Sequence, residues 1–330
     1  MKKKIFVWCS DVDKFTGEGI LANKFINDLK KYNPKLKIVV KNIPQKKIIL
    51  LRKIFGNITD RLILPIFGVI VLWFLFISKK NKKICFVNYL PLWNFLIFIF
   101  LPPKTILGPV TGGGKILKGS FYDFLLRKIL LNFFYEISIL FINLRYKKVL
   151  FSTDLLKNKF KSINKVYFNY VLKDFHYKDL KEKRIYDLIF YIRKHKNKRT
   201  DLILKLINKL KNNYKIITFG ERIDNYKIKN LGKLNKKKLI LLLQKTKYSF
   251  LSPENKYSLF SIDCLSNGVK VFYNKDDIPL NETKNNMIPL NYNNFNYLLK
   301  AIKKKLNKPY SKPKQITFDK NRKFLTYFKF

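Results

Sequence analysis

Histidine occurs only twice in the 330 residues, at His176 and His195, and neither stands in a Ser/His/Asp or Cys/His context that would indicate a nucleophilic triad. The three cysteines, Cys9, Cys85 and Cys264, are far apart and form no Cys-x-x-Cys or Cys/His cluster. That spacing indicates neither a disulfide framework nor a zinc site, and a reducing compartment is expected. Carboxylates are scarce as well, 21 Asp and Glu against 69 Lys and Arg. Long apolar runs are short of what a spanning helix needs: the longest, Leu62 to Ile77, falls a little below the ~20 residues that cross a bilayer. At the N-terminus, Met1-Lys2-Lys3-Lys4 precedes only Ile5 to Cys9 before Ser10 and Asp11. This is too short for a secretory apolar region and reads instead as a basic start to a first strand.

What is present is a globular composition. Hydrophobic residues make up 47% of the chain and aromatics 16%, and the length suits two domains of ordinary size. The net charge of +48 would ordinarily indicate nucleic acid or an anionic membrane. Lys, Asn, Ile, Phe and Tyr are abundant together, the residues an AT-rich coding sequence would supply, and this discounts the charge as a sign of function. Such a surface is still drawn to anionic lipid, at about 1 kcal/mol per basic residue close to it. No RNA-binding motif accompanies the charge, and no specific nucleic-acid partner is expected.

Short runs rich in Ile, Val and Phe recur along the chain and predict strands at Ile5 to Cys9, Leu36 to Val40, Ile84 to Asn88, Thr105 to Leu107 and Lys148 to Ser152. Apolar helix candidates lie between them, and Ile20, Leu21, Phe25 and Leu29 keep helical spacing after the first strand. A charged stretch, 173–185, is the expected linker. Beyond it a second series is predicted: strand Asp187 to Ile192, helix Asp201 to Leu210, strand Lys215 to Phe219 and a short strand Ile228 to Leu231. Helix Lys236 to Gln244, strand Tyr248 to Ser252, helix Ser258 to Ser266 and strand Val269 to Tyr273 follow. Alternation of this kind argues for an α/β protein of two Rossmann-like parallel-sheet domains, 1–172 and 186–314, the first completed by a C-terminal helix in 315–330. A ligand is expected near the carboxyl ends of strands, in a cleft between the domains. For Leu62 to Ile77, which contains Pro65 and Gly68, three readings compete in this order: buried helix, interfacial helix, spanning helix. Leu92 to Leu101 reads as a core helix.

The segment Ser252 to Gly268 combines strand end, loop, helix and glycine cap, with Glu254 in the loop and Asp263 in the helix. A helix N-terminus at Ser258-Leu259 is a site for phosphate, and a carboxylate beside it can hold ribose hydroxyls. An ordinary turn with a solvated Asp263 is the bland alternative. Upstream, the strand ending at Ile192-Arg193 empties into Lys194-His195-Lys196-Asn197-Lys198-Arg199 ahead of a helix start, a basic loop suited to a diphosphate. In the first half, Thr16-Gly17-Glu18-Gly19 and Gly108-Pro109-Val110-Thr111-Gly112-Gly113-Gly114 are glycine loops where a backbone can approach a ligand, or flexible surface turns.

Over roughly residues 184 to 275 the order of these pieces resembles the retaining GT-B glycosyltransferases, family 4 in particular. Tyr257-Ser258-Leu259 stands in the place of that family's Phe-Gly-Leu, Asp263 in the place of its second Glu, and Asn267-Gly268 at its helix end. The first Glu falls by strict count on Asn255, with Glu254 one position away. Arg193 and Lys198 keep the interval of the family's Arg and Lys, with Ile192 in place of its Gly. The resemblance implies a GT-B fold and transfer of a sugar from a nucleotide diphosphate sugar to a polysaccharide or lipid-linked acceptor in cell-envelope biosynthesis. It implies no metal and no other cofactor. Arg193, Lys198, Ser258, Leu259 and Asp263 would bind the donor, and Gly17, Glu18, Glu254 and Asn255 would line the reacting centre. A retaining transfer needs no protein base, since the leaving phosphate takes the proton; for an inverting one Asp11, Asp13 and Glu18 are the candidates. The expected location is cytoplasmic, peripheral on the inner face of an anionic membrane. The rival reading is a non-catalytic basic α/β protein that binds RNA or anionic lipid.

Overall fold

The computed structural model describes residues 4–10, 17–56, 58–78, 83–87, 92–111, 125, 129–154, 157–160, 166–173, 175–178, 183–194, 198–222, 228–252, 257–277, 279–316 and 326–328. They fall into two compact units, the first holding the described residues up to Lys173 together with 326–328, the second those of 175–316.

The first unit is organised on β1 (Lys4–Cys9), whose side chains from Ile5 to Cys9 are all buried. A strand apolar along its whole length belongs in a sheet covered on both faces. It pairs in parallel with β2 (Lys37–Lys41) on one side and β3 (Lys83–Val87) on the other, and β4 (Ile106–Leu107) follows β3, giving the order β2-β1-β3-β4. Parallel neighbours require crossovers. Helix α1 (Gly17–Tyr32) makes the first, while α2 (Gln45–Phe55), a π-helical turn (Thr59–Ile63) and α3 (Leu64–Ser78) make the second. Helices α4 (Phe95–Phe100) and α5 (Leu131–Arg145) follow. Val110 then bridges Phe151, next to the small parallel pair β5 (Val149–Leu150) and β6 (Val166–Tyr167).

The period of two along the strands divides the core. Phe6, Trp8, Ile84 and Phe86 point to one face, packed with Val69, Leu72 and Leu75 of α3, Ile97 and Phe98 of α4, and Ile139 and Ile142 of α5. Ile5, Val7, Cys85 and Val87 point to the other, packed with Ala22, Phe25, Ile26 and Leu29 of α1 and with Tyr327 and Phe328.

The run Leu62 to Ile77, expected foremost as a buried helix, is buried on one side only. Leu64, Pro65, Gly68, Val69, Leu72 and Leu75 are covered, while Ile66, Phe67, Ile70, Trp73, Phe74 and Ile77 are exposed. Thr59–Ser78 is long and apolar enough to cross a membrane. In this fold β2 before it and β3 after it both pair with β1, and the helix packs against that sheet. At Gly68 the approach is so close that a Cβ would stand 2.1 Å from Nε1 of Trp8. Pro65 sits in the first turn of α3, where a missing N–H costs least.

The second unit holds one six-stranded parallel sheet, ordered β12-β11-β10-β7-β8-β9. Its elements are β7 (Tyr186–Ile192), α6 (Thr200–Leu210), β8 (Ile216–Gly220), β9 (Lys229–Asn230), α7 (Lys236–Gln244), β10 (Thr246–Phe250), α8 (Leu259–Ser266), β11 (Lys270–Asn274), β12 (Met287–Leu290) and α9 (Phe295–Leu306). Counted within this unit, the strands run third, second, first, fourth, fifth, sixth, the dinucleotide-binding order. Helix α6 shows how the pattern selects the packing: Leu202, Ile203, Leu206, Ile207 and Leu210 repeat at helical spacing and are all buried.

Residues 183–185, within the stretch read as linker, are firmly held. The Arg184 guanidinium donates to the carbonyls of Leu243 (2.7 Å), Thr246 (2.9 Å) and Asn267 (2.9 Å), tying the ends of α7 and α8 together. Gly268, at φ +67°, lies against it: a Cβ would meet the Arg184 guanidinium at 2.7 Å. The glycine cap is therefore required on two counts, conformation and space.

Candidate functional site

In a sheet of this order the crevice opens where the chain reverses direction, between the first and fourth strands. In the second unit these are β7 and β10, which pair directly. The connections leaving their carboxyl ends carry Arg193 and Lys198 after β7, and Ser258, Leu259 and Asp263 after β10. Topology thus places five of the sequence-derived site residues at one end of one sheet.

The β7–α6 connection is shaped by its own hydrogen bonds. Thr200 Oγ1 donates to the carbonyl of Arg193 at 2.5 Å, and the backbone N–H of Lys194 donates to Oε2 of Glu221 at 2.8 Å. Arg193 is exposed and Lys198 half-buried. Beside them, β8 ends at Gly220 with φ +109°, where a Cβ would come within 2.2 Å of the Ile192 carbonyl. Only glycine fits there. Its N–H donates to the Gly232 carbonyl at 2.8 Å, Glu221 N–H donates to the Ile192 carbonyl at 2.9 Å, and Gly232 N–H donates to Oδ1 of Asn230 at 2.8 Å. These bonds draw the ends of β7, β8 and β9 around a pocket of about 540 Å³ lined by Lys194, Gly220, Glu221, Arg222, Leu231, Gly232 and Lys233.

Gly220-Glu221 and Leu231-Gly232 were not among the site residues expected from the sequence. The signal was there, a glycine at each strand end. That the two face one cavity depends on pairing between segments far apart in sequence.

Helix α8 starts next to this pocket. Phe260 in its first turn packs on Tyr191 of β7 (centroids 5.8 Å apart) and Phe219 of β8 (5.1 Å), and those two rings pack on each other at 5.1 Å. Ser258 is the N-cap: its Oγ accepts from the N–H of Ser261 at 3.1 Å. Its hydroxyl is therefore engaged, and what it offers a ligand is a fixed helix start rather than a free hydroxyl. Leu259 is the first helical residue, half-buried. Tyr257, just before the cap, is buried, its hydroxyl accepting from Leu280 N–H at 2.7 Å and bonded to Thr283 Oγ1 at 2.8 Å, which anchors that residue ahead of α8.

Asp263 does not point into open solvent. Its side chain is 15% exposed and pairs with Nζ of Lys236, from the first turn of α7, which is 58% exposed. Burial pushes the Asp263 carboxyl above the usual carboxylate range, and the Lys236 ammonium pulls it back in part. A largely desolvated carboxylate held by one exposed lysine has acceptor capacity left for a ligand's hydroxyls. Lys236 was absent from the sequence-derived site because nothing in a lysine triplet marks one member as the partner of a residue 27 positions on.

In the first unit, Gly17 is the exposed first residue of α1 and Glu18 is half-buried in its first turn, at the carboxyl-end side of β1. Glu254, Asn255, His195, Asp11, Asp13 and the glycines 112–114 lie outside the described residues. Among the described residues no group of three or more His, Cys, Asp or Glu is arranged to hold a metal ion.

Two Rossmann-like α/β units with parallel sheets, the second in dinucleotide-binding strand order, are the architecture of a GT-B fold. No protein-family model and no curated protein matches the chain. Among solved structures it is similar to sucrose-phosphate synthase from Thermosynechococcus elongatus, with TM-score 0.54, 10% identity, and 92% of this chain aligned to 90% of that one. It is similar also to HepE from Anabaena in complex with UDP-glucose, with TM-score 0.50, 11% identity, and the same coverage of 92% and 90%. The likeness is one of fold.

Proposed function

We propose that the protein is a glycosyltransferase that takes a sugar from a nucleoside diphosphate donor, UDP-sugar foremost, and passes it to a polysaccharide or glycolipid acceptor of the cell envelope, with retention and without a metal. The observation that carries this reading is the convergence at the carboxyl ends of β7, β8 and β10. A pocket of about 540 Å³, with ample room for a nucleobase, opens between Gly220-Glu221 and Leu231-Gly232. Arg193 follows the end of β7 and Lys198 precedes the start of α6, while α8 opens with the Ser258 cap and carries the largely buried carboxylate of Asp263 one turn on.

Each part matches one part of the donor. The cavity takes the base, Asp263 the ribose hydroxyls, and the cations with the α8 start take the diphosphate. As the bond from the sugar's anomeric carbon to the β-phosphate oxygen breaks, negative charge grows on the leaving diphosphate. Arg193 and Lys198 stabilise that charge in place of a metal. The acceptor hydroxyl oxygen bonds to the anomeric carbon, and its proton passes to the departing phosphate.

Calorimetric titration with UDP tests the assignment. The double variant Arg193→Ala/Lys198→Ala is expected to bind UDP at least roughly tenfold more weakly than the unaltered chain. Equal affinity would remove the two residues from the site, and failure of the unaltered chain to bind any nucleoside diphosphate would remove the function. Release of UDP from a UDP-sugar should be unaffected by EDTA.

A further inference from the structure

The outward side of one helical layer in the first unit is apolar as no other described surface of the molecule is. Nineteen of the twenty-four large apolar side chains exposed among the described residues fall between Ile49 and Leu144. Most lie on α2, α3, α4 and α5. Helices α3, α4 and α5 cover the same face of the sheet, and hydrogen bonds lace them side by side. Trp73 of α3 donates its indole N–H to the carbonyl of Phe100 at the end of α4 (2.6 Å). Arg145 of α5 donates to the carbonyls of Phe98 (2.8 Å) and Leu101 (2.6 Å). Thr59 Oγ1 donates to the Leu51 carbonyl of α2 at 2.9 Å, and Arg52 pairs with Asp60 at 2.9 Å. The sides turned away from the sheet therefore form one surface.

Helix α3 gives that surface its character. Ile66, Phe67, Ile70, Trp73, Phe74 and Ile77 follow one another at i, i+1, i+4, i+7, i+8 and i+11, a single stripe opposite the buried one, with Phe74 70% and Ile77 73% exposed. No charged residue occurs from Leu62 to Ser78. A helix apolar on all sides is unfavourable in water unless its second face is also covered. Charge around the stripe selects the cover. Residues 42–150 contain seventeen Lys and Arg but only three carboxylates. Two of the three, Asp60 and Glu136, are ion-paired with Arg52 and Lys159. Lys46, Lys47, Lys53 and Arg61 stand exposed at the rim.

We propose that this face docks on an anionic bilayer, the α3 stripe entering the acyl region of one leaflet while the rim cations meet acidic headgroups. A second copy of the chain would bring like charges together around the same patch, whereas an anionic leaflet complements both its apolar centre and its cationic edge. Because α3 lies on the sheet, insertion is limited to one side of the helix, and the protein is held in the interface without crossing it.

The test is flotation of the full chain with vesicles of phosphatidylcholine alone and of phosphatidylcholine with phosphatidylglycerol, in the absence of any donor. Binding to the anionic vesicles is expected, weakened at high salt, with fluorescence of the chain quenched by bromine-labelled acyl chains through Trp73. The variant Ile70→Ser/Phe74→Ser/Ile77→Ser should lower partitioning at least ~10-fold with unchanged circular dichroism and UDP affinity. Should that variant fold poorly, Lys46→Ser/Lys47→Ser/Lys53→Ser should weaken binding to the anionic vesicles and flatten its salt dependence. Three results would overturn the proposal: vesicle binding unchanged in the folded variants, resistance of the bound chain to carbonate extraction, or a dimer that the triple apolar variant dissociates without vesicle binding. UDP titration of the same samples reports the donor site separately, so failure of one reading is distinguishable from failure of the other.

Discussion

At the scale of single residues, Asp263 meets two opposing demands. Its carboxylate is largely withdrawn from water on α8, which raises its pKa, and Lys236 offsets only part of that effect. A carboxyl whose folded pKa lies above its unfolded value binds more protons in the native state across that interval. Native stability then falls as pH rises from the unfolded pKa through the folded one, and stays lower above it. A carboxylate kept at a cost to stability in this way is a candidate for a role beyond the fold. Asp263→Asn keeps the shape and removes the charge. It should leave the melting temperature at neutral pH equal to or above that of the unaltered chain, with the difference closing at pH values below the ordinary carboxylate range. The same variant should raise the UDP dissociation constant at least roughly tenfold, about 1.4 kcal/mol. A variant that lost stability at neutral pH and kept its UDP affinity would make Asp263 merely the structural partner of Lys236. The position of Asp263 was legible from its distance to Gly268 and Tyr257; its lysine partner was not, because ion pairs between helices depend on how those helices pack.

Among the elements, those readable in sequence are those whose side chains leave no choice. Strands β1, β3 and β7 are short continuous apolar runs, and α7, predicted over Lys236 to Gln244, is found over that range. Others were hidden for identifiable reasons. Helix α2 buries only Ile48, so it has no apolar stripe to count. Helix α5 is apolar nearly all round, with Phe133, Leu140 and Leu144 exposed and Ile139 and Ile142 buried, so its period is blurred. Helix α9 buries just Leu298 and Ile302 between lysines. The docking of α3 on β1 through Gly68 makes the clearest demand at this scale. Gly68→Ala would push a methyl group into the Trp8 ring within a packed core, so unfolding in urea should show a loss of about 1–3 kcal/mol. The near-ultraviolet dichroism of Trp8 should change with it. An alanine variant as stable as the unaltered chain would mean that the helix can lift from the strand without penalty.

For the whole molecule, the last described residues matter more than their position suggests. Phe328 is fully buried against Phe25 (5.2 Å between centroids) and Tyr32 (5.6 Å), and its carbonyl accepts from Nδ2 of Asn33 at 2.7 Å, a contact between residues 295 positions apart. Lys173 pairs with Asp28 beneath the same rings, and Tyr170 donates to Asp28 at 2.5 Å. The end of the chain thus completes the α1 side of the first unit. Phe328→Ala should destabilise that unit by ~3–5 kcal/mol. In calorimetry it should lower one transition while the shift produced by UDP in the transition of the second unit persists. If the UDP-dependent transition moved instead, the assignment of the donor site to the second unit would fail.

The amino-acid sequence by itself determined the α/β class, the succession of two parallel-sheet units and the ordered landmarks from Arg193 to Gly268. Each of these rests on local periodicity, turn chemistry or spacing within a few tens of residues. Tertiary structure decided what those landmarks face. It joined Gly220-Glu221 to Leu231-Gly232 as one pocket, gave Asp263 its lysine partner, and turned one whole side of α3 outward. Whether an apolar residue is core or surface, and whether a carboxylate is free or paired, is settled only when segments remote in sequence come to lie side by side, because desolvation and charge depend on neighbours that no local pattern names.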